Sequence, residues 1–301
     1  MTTLHLNGAE AHASFLTQRA HRAAYCDFLV RVTPENQREA LRLYGENETE
    51  FSGLRVEGAL DLSFLTRHLR LRYLEVVSAT GIDTSALSGL ENLRGLRIEQ
   101  PKAGIDFRWF PMPEVFVGDW HPDNRGVEHA DELRQLRAWK FRPESRDLAS
   151  IARATRLEWL QLVQTSIESL DGVGHLEDLR YLEVAYAPKL TTLDALGAAR
   201  SEVRELKLER ANRIESYEPL SAVPFLRRVQ LIGCAPMPDL QWTQGMDRLD
   251  FLSFVDTNVL SGDLTPLLDL PALRNVGTLD KRHCSHKGAE LNALLQERWA
   301  L

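Results

Sequence analysis

Two short clusters in the sequence contain residue types that carry out chemistry in proteins. The first is His283-Cys284-Ser285-His286, which carries the imidazole and thiol groups that bind zinc. Structural zinc sites need two ligand pairs at defined spacing, and this segment has neither a zinc-finger spacing nor a second Cys/His pair nearby. We therefore expect a turn here and no metal site.

The second cluster is Asp119-Trp120-His121 with Asp123, whose carboxylates and imidazole are the groups of an acid–base site. A catalytic site would also need a nucleophile and an oxyanion-stabilising element, and the sequence places neither beside this cluster. The chain also lacks the Walker A, G-x-G-x-x-G and G-x-S-x-G motifs. We therefore expect no catalytic residues and no cofactor, and interpret the chain as a non-enzyme.

Composition and charge restrict the classes of partner. The 301 residues are 44% hydrophobic and 26% charged, which is typical of a folded protein with a real core. A net charge of −7 argues against a nucleic-acid binder, which normally presents a basic face. Three scattered cysteines (Cys26, Cys234 and Cys284) do not form a disulfide framework. With no signal-peptide pattern and no long apolar run, we expect a cytoplasmic protein without membrane contact.

A repeated motif, L-x-x-L-x-[LVI], supplies the elements that would position functional side chains. Good copies start at Leu71, Leu93, Leu157, Leu179, Val203, Leu226 and Leu249. Weaker copies start at Phe51, Met112, Leu133 and Leu273. The last five good copies begin 22, 24, 23 and 23 residues apart. A near-constant period of this length indicates stacked structural repeats.

The fourth and sixth motif positions alternate with polar ones, which predicts a strand that buries one face. One such strand cannot bury its face alone, so the copies must stack into a parallel sheet. On these motifs, residues 51–280 resemble the leucine-rich-repeat superfamily, specifically its bacterial members with repeats of about 22 residues. The resemblance implies an α/β solenoid with helical caps. It would have a curved parallel sheet on the concave face, and short helices, 3₁₀ segments and loops on the convex face.

We expect one sheet of about ten or eleven strands, flanked by caps at residues 1–50 and 281–301. In the N-terminal cap, the spacing predicts a helix over His12–Leu29 and a second from an N-cap at Thr33 through Leu43. In the C-terminal cap, a helix would place Leu291, Leu294, Leu295 and Trp299 on one face.

Residues 99–132 depart from the repeat because they are dense in proline and aromatic residues. Either a functional loop or a divergent repeat would fit this composition. A second departure lies two residues after each strand. Relatives with this repeat often carry asparagine there, whereas this chain has residues such as Thr165, Cys234 and Thr257. The backbone groups at this turn must therefore be satisfied in another way.

The third, fifth and seventh motif positions point away from the core and, by the resemblance, form the concave face. Tryptophan, tyrosine and arginine, the types enriched in binding hot spots, recur at these positions. The candidate protein-binding residues are Tyr73, Arg97, Phe116, Arg137, Trp139, Trp159, Tyr181, Glu183, Arg228 and Phe251. The alternative interpretation is that these rings only pack across strands and stabilise the sheet.

The sequence thus predicts a monomeric, non-enzymatic module that binds a protein on its concave face. Mixed charges on this face disfavour nucleic acid. An intracellular bacterial immunity or scaffold protein would fit this description. The alternative is an enzyme or enzyme regulator with a site in the 99–132 loop, and fold alone does not decide between them.

Overall fold

The computed structural model describes residues 4–5, 28–46, 53–58, 61–67, 70–77, 81–110, 113–198 and 202–298. The chain divides into two compact units, Met1–Ala138 and Trp139–Leu301. Thirteen strands lie in the described residues, more than the ten or eleven expected. The excess comes from β1 and β2, which lie in the region assigned to the N-terminal cap.

The first unit is built from short strands that pair in chain order. Its strands are β1 (Leu4–His5), β2 (Phe28–Val32), β3 (Gly53–Glu57), β4 (Tyr73–Val77), β5 (Gly95–Ile98) and β6 (Val115–Asp119), and β7 (Gln135–Trp139) crosses the boundary between the units. β1 pairs with β2 antiparallel, whereas the pairs from β2 to β6 are parallel. The described helix is α1 (Gln37–Glu46), and 3₁₀ turns cover Leu62–Arg67, Ser85–Gly89, Phe107–Trp109 and Val127–His129.

The second unit repeats the same strand–turn–strand plan. Its strands are β8 (Trp159–Val163), β9 (Tyr181–Ala185), β10 (Glu205–Glu209), β11 (Arg228–Ile232), β12 (Phe251–Ser253) and β13 (Asn275–Gly277), all paired in parallel. Its helices are α2 (Asp194–Gly197) and α3 (Gly288–Glu297), with 3₁₀ turns at Ala149–Ile151, Val173–His175, Glu218–Ala222, Gln241–Thr243 and Thr265–Asp269. The turns are short because only residues 164–180 connect β8 to β9, and the other return paths of this unit are similarly short.

Strand register follows the motif in both units. Leu160, Leu182 and Leu206 occupy the fourth motif position and pair with one another across β8, β9 and β10. All three are buried, as are the leucine or valine residues two positions later. The predicted inward face is therefore confirmed, and it forms the core of each unit.

In three repeats of the second unit, the turn after the strand is held by a hydroxyl or thiol group in place of asparagine. Thr165 Oγ1 donates to the carbonyl oxygen of Phe141 at 2.8 Å, and Thr257 Oγ1 donates to that of Leu231 at 3.0 Å. The Cys234 thiol contacts the carbonyl oxygen of Leu208 at 3.3 Å, and burial raises the pKa of this thiol. A small donor at this position satisfies the carbonyls of the inner turn, and Cys234 is a structural residue.

The N-terminal region differs from the prediction where it is described. The expected helix over 12–29 lies outside the described residues except for Phe28 and Leu29, which belong to strand β2. The following helix begins at Gln37, later than predicted, because residues 34–36 form a turn. Asn36 Oδ1 accepts the backbone N–H of Thr33 at 2.7 Å, which is the hydrogen bond that a third-position side chain makes to an N-cap residue.

The C-terminal helix α3 forms as expected but with a narrower buried face. Leu291 and Leu295 are buried, whereas Leu294 is exposed. Trp299, also placed on this face by the sequence, lies outside the described residues.

The 99–132 segment forms a repeat whose strand register differs by one residue from the prediction. Phe116 pairs with Leu96 at the fourth position, so it points into the core and is 1% exposed. Its ring lies 5.4 Å from that of Phe107 and 6.0 Å from that of Trp120. Phe116 was predicted on the concave face, and that prediction is wrong. Val115 and Val117 flank Phe116 and alternate as inward residues do. The sequence pattern therefore placed the valines, and not Phe116, at the inward positions.

Candidate functional site

In the first unit, Tyr73 points outward but is covered by its neighbours. A β-carbon at Gly95 would lie 2.5 Å from Cδ2 of Tyr73, so the ring lies over the glycine on the next strand. Tyr73 also clusters with Leu29, and its hydroxyl lies 3.2 Å from Glu75 Oε1. Tyr73 is only 3% exposed and therefore stabilises the sheet in place of offering a contact surface.

Charged residues dominate the remaining outward positions of the first unit. Arg55 contacts Glu57 at 2.6 Å and the fully buried Glu75 at 3.3 Å. Arg97, a predicted site residue, contacts Glu99 at 2.7 Å. Arg137 is half-buried on β7. Arg55 and Arg97 are thus paired with carboxylates of the same unit, which leaves less of their hydrogen-bonding capacity for a partner.

In the second unit, Trp159 and Tyr181 form a stacked pair on the outward face of β8 and β9. Their ring centroids are 3.5 Å apart and their planes differ by 12°. The residues are directly paired in the strand register, which brings their side chains to the same side of the sheet. Both remain half-buried, so one side of the stack faces solvent.

Glu183 lies two residues after Tyr181 on β9 and orients the stack through hydrogen bonds and an ion pair. Its Oε2 accepts hydrogen bonds from the Tyr181 hydroxyl at 2.8 Å and from Gln161 Nε2 at 2.7 Å. Its Oε1 contacts Lys207 Nζ at 2.9 Å. Burial lowers the pKa of Lys207, but the hydrogen bonds and charges of Glu183 and Glu209 outweigh it and raise the pKa above its usual value. The carboxylate thus keeps Tyr181 in one orientation.

A second pair, Arg228 and Phe251, lies on β11 and β12. The guanidinium carbon of Arg228 sits 4.6 Å from the centroid of the Phe251 ring. Arg228 also lies 3.9 Å from Glu205 and 3.8 Å from Asp250, and its side chain is 43% exposed. Cation and ring are therefore pre-positioned side by side on the outward face.

The structure thus groups the predicted residues of the second unit into two pairs and one anchoring carboxylate. Trp139 ends β7 and occupies the seventh position of the motif that starts at Leu133, and it is half-buried. Sequence reasoning passed over Gln161 and Lys207, which complete the Glu183 network. Their place beside Glu183 at the fifth motif position was the signal that identifies them.

Side chains of the His283–His286 cluster and of the Asp119–Asp123 cluster make contacts that hold the fold together. His283 Nε2 lies 3.0 Å from the carbonyl oxygen of Val259, and Ser285 Oγ accepts the backbone N–H of Leu264 at 2.9 Å. Trp120 packs in the aromatic core, while Asp119 Oδ2 accepts the backbone N–H of Gln100 at 3.4 Å. Across the described ranges, no group of three or more His, Cys, Asp or Glu side chains is arranged to hold a metal ion.

Comparison with known proteins gives matches in structure alone. No protein-family model and no curated protein sequence matches the chain. A leucine-rich-repeat protein of Leptospira interrogans superposes with a TM-score of 0.51 at 14% identity, over 76% of this chain and 55% of that one. The chain has the leucine-rich-repeat fold. Internalin C2 of Listeria monocytogenes matches with a TM-score of 0.46 at 16% identity, over 71% of this chain and 83% of that one.

The leucine-rich-repeat fold confirms the interpretation of the motif, and it gives no catalytic group by itself. The chain spans about half the length of the Leptospira protein, so that protein's wider architecture does not transfer to it. Among the described helices, none combines the length and apolarity needed to cross a bilayer.

Proposed function

We propose that this leucine-rich-repeat chain is a non-enzymatic module that binds a protein through the outward strand face of its second unit. We call this surface the strand face and define it by Trp139, Trp159, Tyr181, Arg228 and Phe251. The observation that carries the proposal is the Trp159–Tyr181 stack, which is partly exposed and is held in one orientation by buried Glu183.

Rigid aromatic side chains are effective contacts because little rotamer freedom is lost when a partner covers them. The Glu183 network restricts Tyr181, and the stack restricts Trp159. Arg228 is held over Phe251 in a similar way. Tryptophan, tyrosine and arginine together form the residue set most enriched in hot spots. Cross-strand packing alone explains the stack's geometry, but it gives no reason for leaving part of each side chain in solvent.

The strand face fits a protein better than a polyanion. Glu205, Glu209 and Asp250 lie among its cations, and Lys207 and Arg228 are already paired with them. A nucleic-acid site would instead present an excess of lysine and arginine toward phosphates. We propose an intracellular immunity or scaffold role for a monomeric bacterial protein.

The alternative site in residues 99–132 has less support. Phe107, Phe116 and Trp120 pack against one another in the interior, so the aromatic residues that suggested a functional loop serve the core. Asp106 is engaged by Arg108 and Arg125. We therefore do not propose an active site there.

A comparative pull-down from extracts of the native host tests the proposal. Immobilised wild-type chain should retain a protein that the Trp159→Ala/Tyr181→Ala variant does not. Phe225→Ala is the matched control, since Phe225 is a half-buried ring away from the strand face that packs with Arg248. Equal retention by wild type and the double variant would refute the strand face as the binding site.

A further inference from the structure

A groove in the second unit follows the turns that leave β7, β8, β9 and β10. It has a volume of about 830 Å³ and opens to solvent. The lining residues are Arg142, Gln164, Thr165, Ser166, Tyr186, Pro188, Lys189, Arg210 and Asn212. We call it the edge groove. It lies beyond the strand ends and shares no residue with the strand face.

The repeat aligns the side chains of the edge groove. Gln164, Tyr186 and Arg210 each follow a strand directly and adopt positive φ values of 57°, 52° and 54°. Their backbone N–H groups donate to the next strand's Ala185, Glu209 and Ile232 carbonyls. Equivalent turns on consecutive strands place these residues in a column with a spacing of about 4.8 Å.

The charge of the edge groove is opposite to that of the whole chain. Arg142, Lys189 and Arg210 are cationic and exposed, and none of the lining residues is acidic. The chain as a whole carries −7. On a protein of net negative charge, an anionic ligand is attracted to this local positive groove in preference to the rest of the surface.

The cations of the edge groove are unpaired, unlike those of the strand face. Within the described part of the chain, Arg142, Lys189 and Arg210 form no salt bridge, whereas Lys207 and Arg228 each contact carboxylates. Two acidic residues close in sequence to the lining are engaged with other cations: Glu168 binds Arg146 at 2.6 Å, and Glu209 binds Lys207 at 3.4 Å. Among the described residues, no carboxylate therefore lies within salt-bridge distance of these three positive charges.

Tyr186 adds an apolar surface between these charges. It is 49% exposed, one of the most exposed large hydrophobic residues described. Gly233 leaves room for the guanidinium of Arg210. A β-carbon at Gly233 would lie 3.3 Å from Cδ and Nη1 of Arg210. An exposed ring flanked by cations suits a segment that carries both carboxylates and an apolar side chain.

We propose that the edge groove binds an acidic, extended segment of a protein, whose carboxylates pair with Arg142, Lys189 and Arg210 while Tyr186 packs on the chain between them. An open groove suits an extended segment more than a small molecule, which a binding site normally encloses. The short row of three cations matches a few carboxylates, whereas nucleic acid requires a longer basic track. This inference does not depend on the strand face.

Fluorescence anisotropy with a labelled deca-glutamate peptide tests the edge groove. The intact chain should bind saturably, and raising the salt concentration should weaken binding because exposed charge pairs are screened. Lys189→Glu/Arg210→Glu should weaken binding about tenfold or more. The control is Arg153→Glu/Arg282→Glu, which makes the same change in net charge at exposed sites outside the groove and should alter the affinity less than about twofold.

Three outcomes would overturn the proposal: no binding by the wild type, equal weakening by both double variants, or tighter binding of a labelled (dT)10 oligonucleotide at the same residues. The last would assign the groove to phosphate. Trp159→Ala/Tyr181→Ala should leave peptide binding unchanged, so failure of the edge groove and failure of the strand face give different results. Thermal unfolding of each variant verifies that it is folded.

Discussion

At the scale of single residues, buried carboxylates organise both units. Glu75 and Glu183 occupy the same motif position, and each is a buried acceptor for a neighbouring tyrosine and a basic residue. The sequence shows these residues as outward and charged, but it does not reveal that they are enclosed. Burial arises from the lengths of the neighbouring side chains across the sheet, which the motif does not encode.

Asp106 allows a test of such a carboxylate through pH. Arg108 hydrogen bonds outweigh burial and, with Arg125, lower the pKa of Asp106 from 3.8 to about 2. Because the folded pKa is depressed, the stabilisation is present above pH 3.8 and is lost as the pH falls toward about 2. Asp106→Asn should lower the free energy of unfolding by about 1 kcal/mol at pH 7. This value allows for the screening of the ion pairs by solvent, since the Arg108 and Arg125 side chains are exposed.

Urea unfolding of both proteins from pH 7 to pH 2 measures this contribution. The difference between wild type and Asp106→Asn should shrink through the acid range and vanish near its lower end. A difference that stays constant with pH would show that the Asp106 charge does not contribute.

At the scale of elements, regular repeats are predictable from sequence and irregular ones are not. The clear motifs from Leu157 onward give the correct strand register because buried leucine, valine or phenylalanine residues occupy both inward positions. In the 99–132 segment, Gly118 occupies the sixth position, where a β-carbon would lie 1.9 Å from the Ile98 carbonyl oxygen. With no apolar side chain at that position, the valines beside Phe116 suggest the wrong face. β2 was missed because its sequence also fits a helical spacing.

The corrected register is tested by Phe116→Ala. The Phe116 ring is fully buried between Phe107 and Trp120. Its truncation should lower the free energy of unfolding by about 3–5 kcal/mol. At an outward position the same change would cost little. A loss below about 1 kcal/mol, measured by chemical denaturation, would restore the original register.

The regular repeats are tested by Leu182→Ala, since Leu182 is a fully buried fourth-position residue. We expect a loss of about 2–5 kcal/mol in the free energy of unfolding. Leu260→Ala is the matched control, because Leu260 is 57% exposed and its truncation should cost less than about 0.5 kcal/mol. Similar losses for the two variants would mean that the inward face is assigned incorrectly.

At the scale of the whole molecule, the repeat explains both how the chain folds and where it offers contacts. Inward apolar residues form the core, outward positions of the second unit form the strand face, and the turns after β7, β8, β9 and β10 form the edge groove. The sequence predicted the fold and the outward orientation of the residues that we assign to the strand face, whose role in binding is a proposal. It did not predict the edge groove, because those residues lie one or more positions beyond the motif, where side-chain types vary freely.

The most direct test of the central claim is calorimetry with the partner recovered from the host. Trp159→Ala should raise the Kd about thirtyfold or more, because truncating a hot-spot aromatic costs about 2 kcal/mol or more of binding free energy while the fold remains intact. Phe225→Ala should bind like the wild type. If Trp159→Ala/Tyr181→Ala retained wild-type affinity, the strand face would not be the binding site and the proposed function would be wrong.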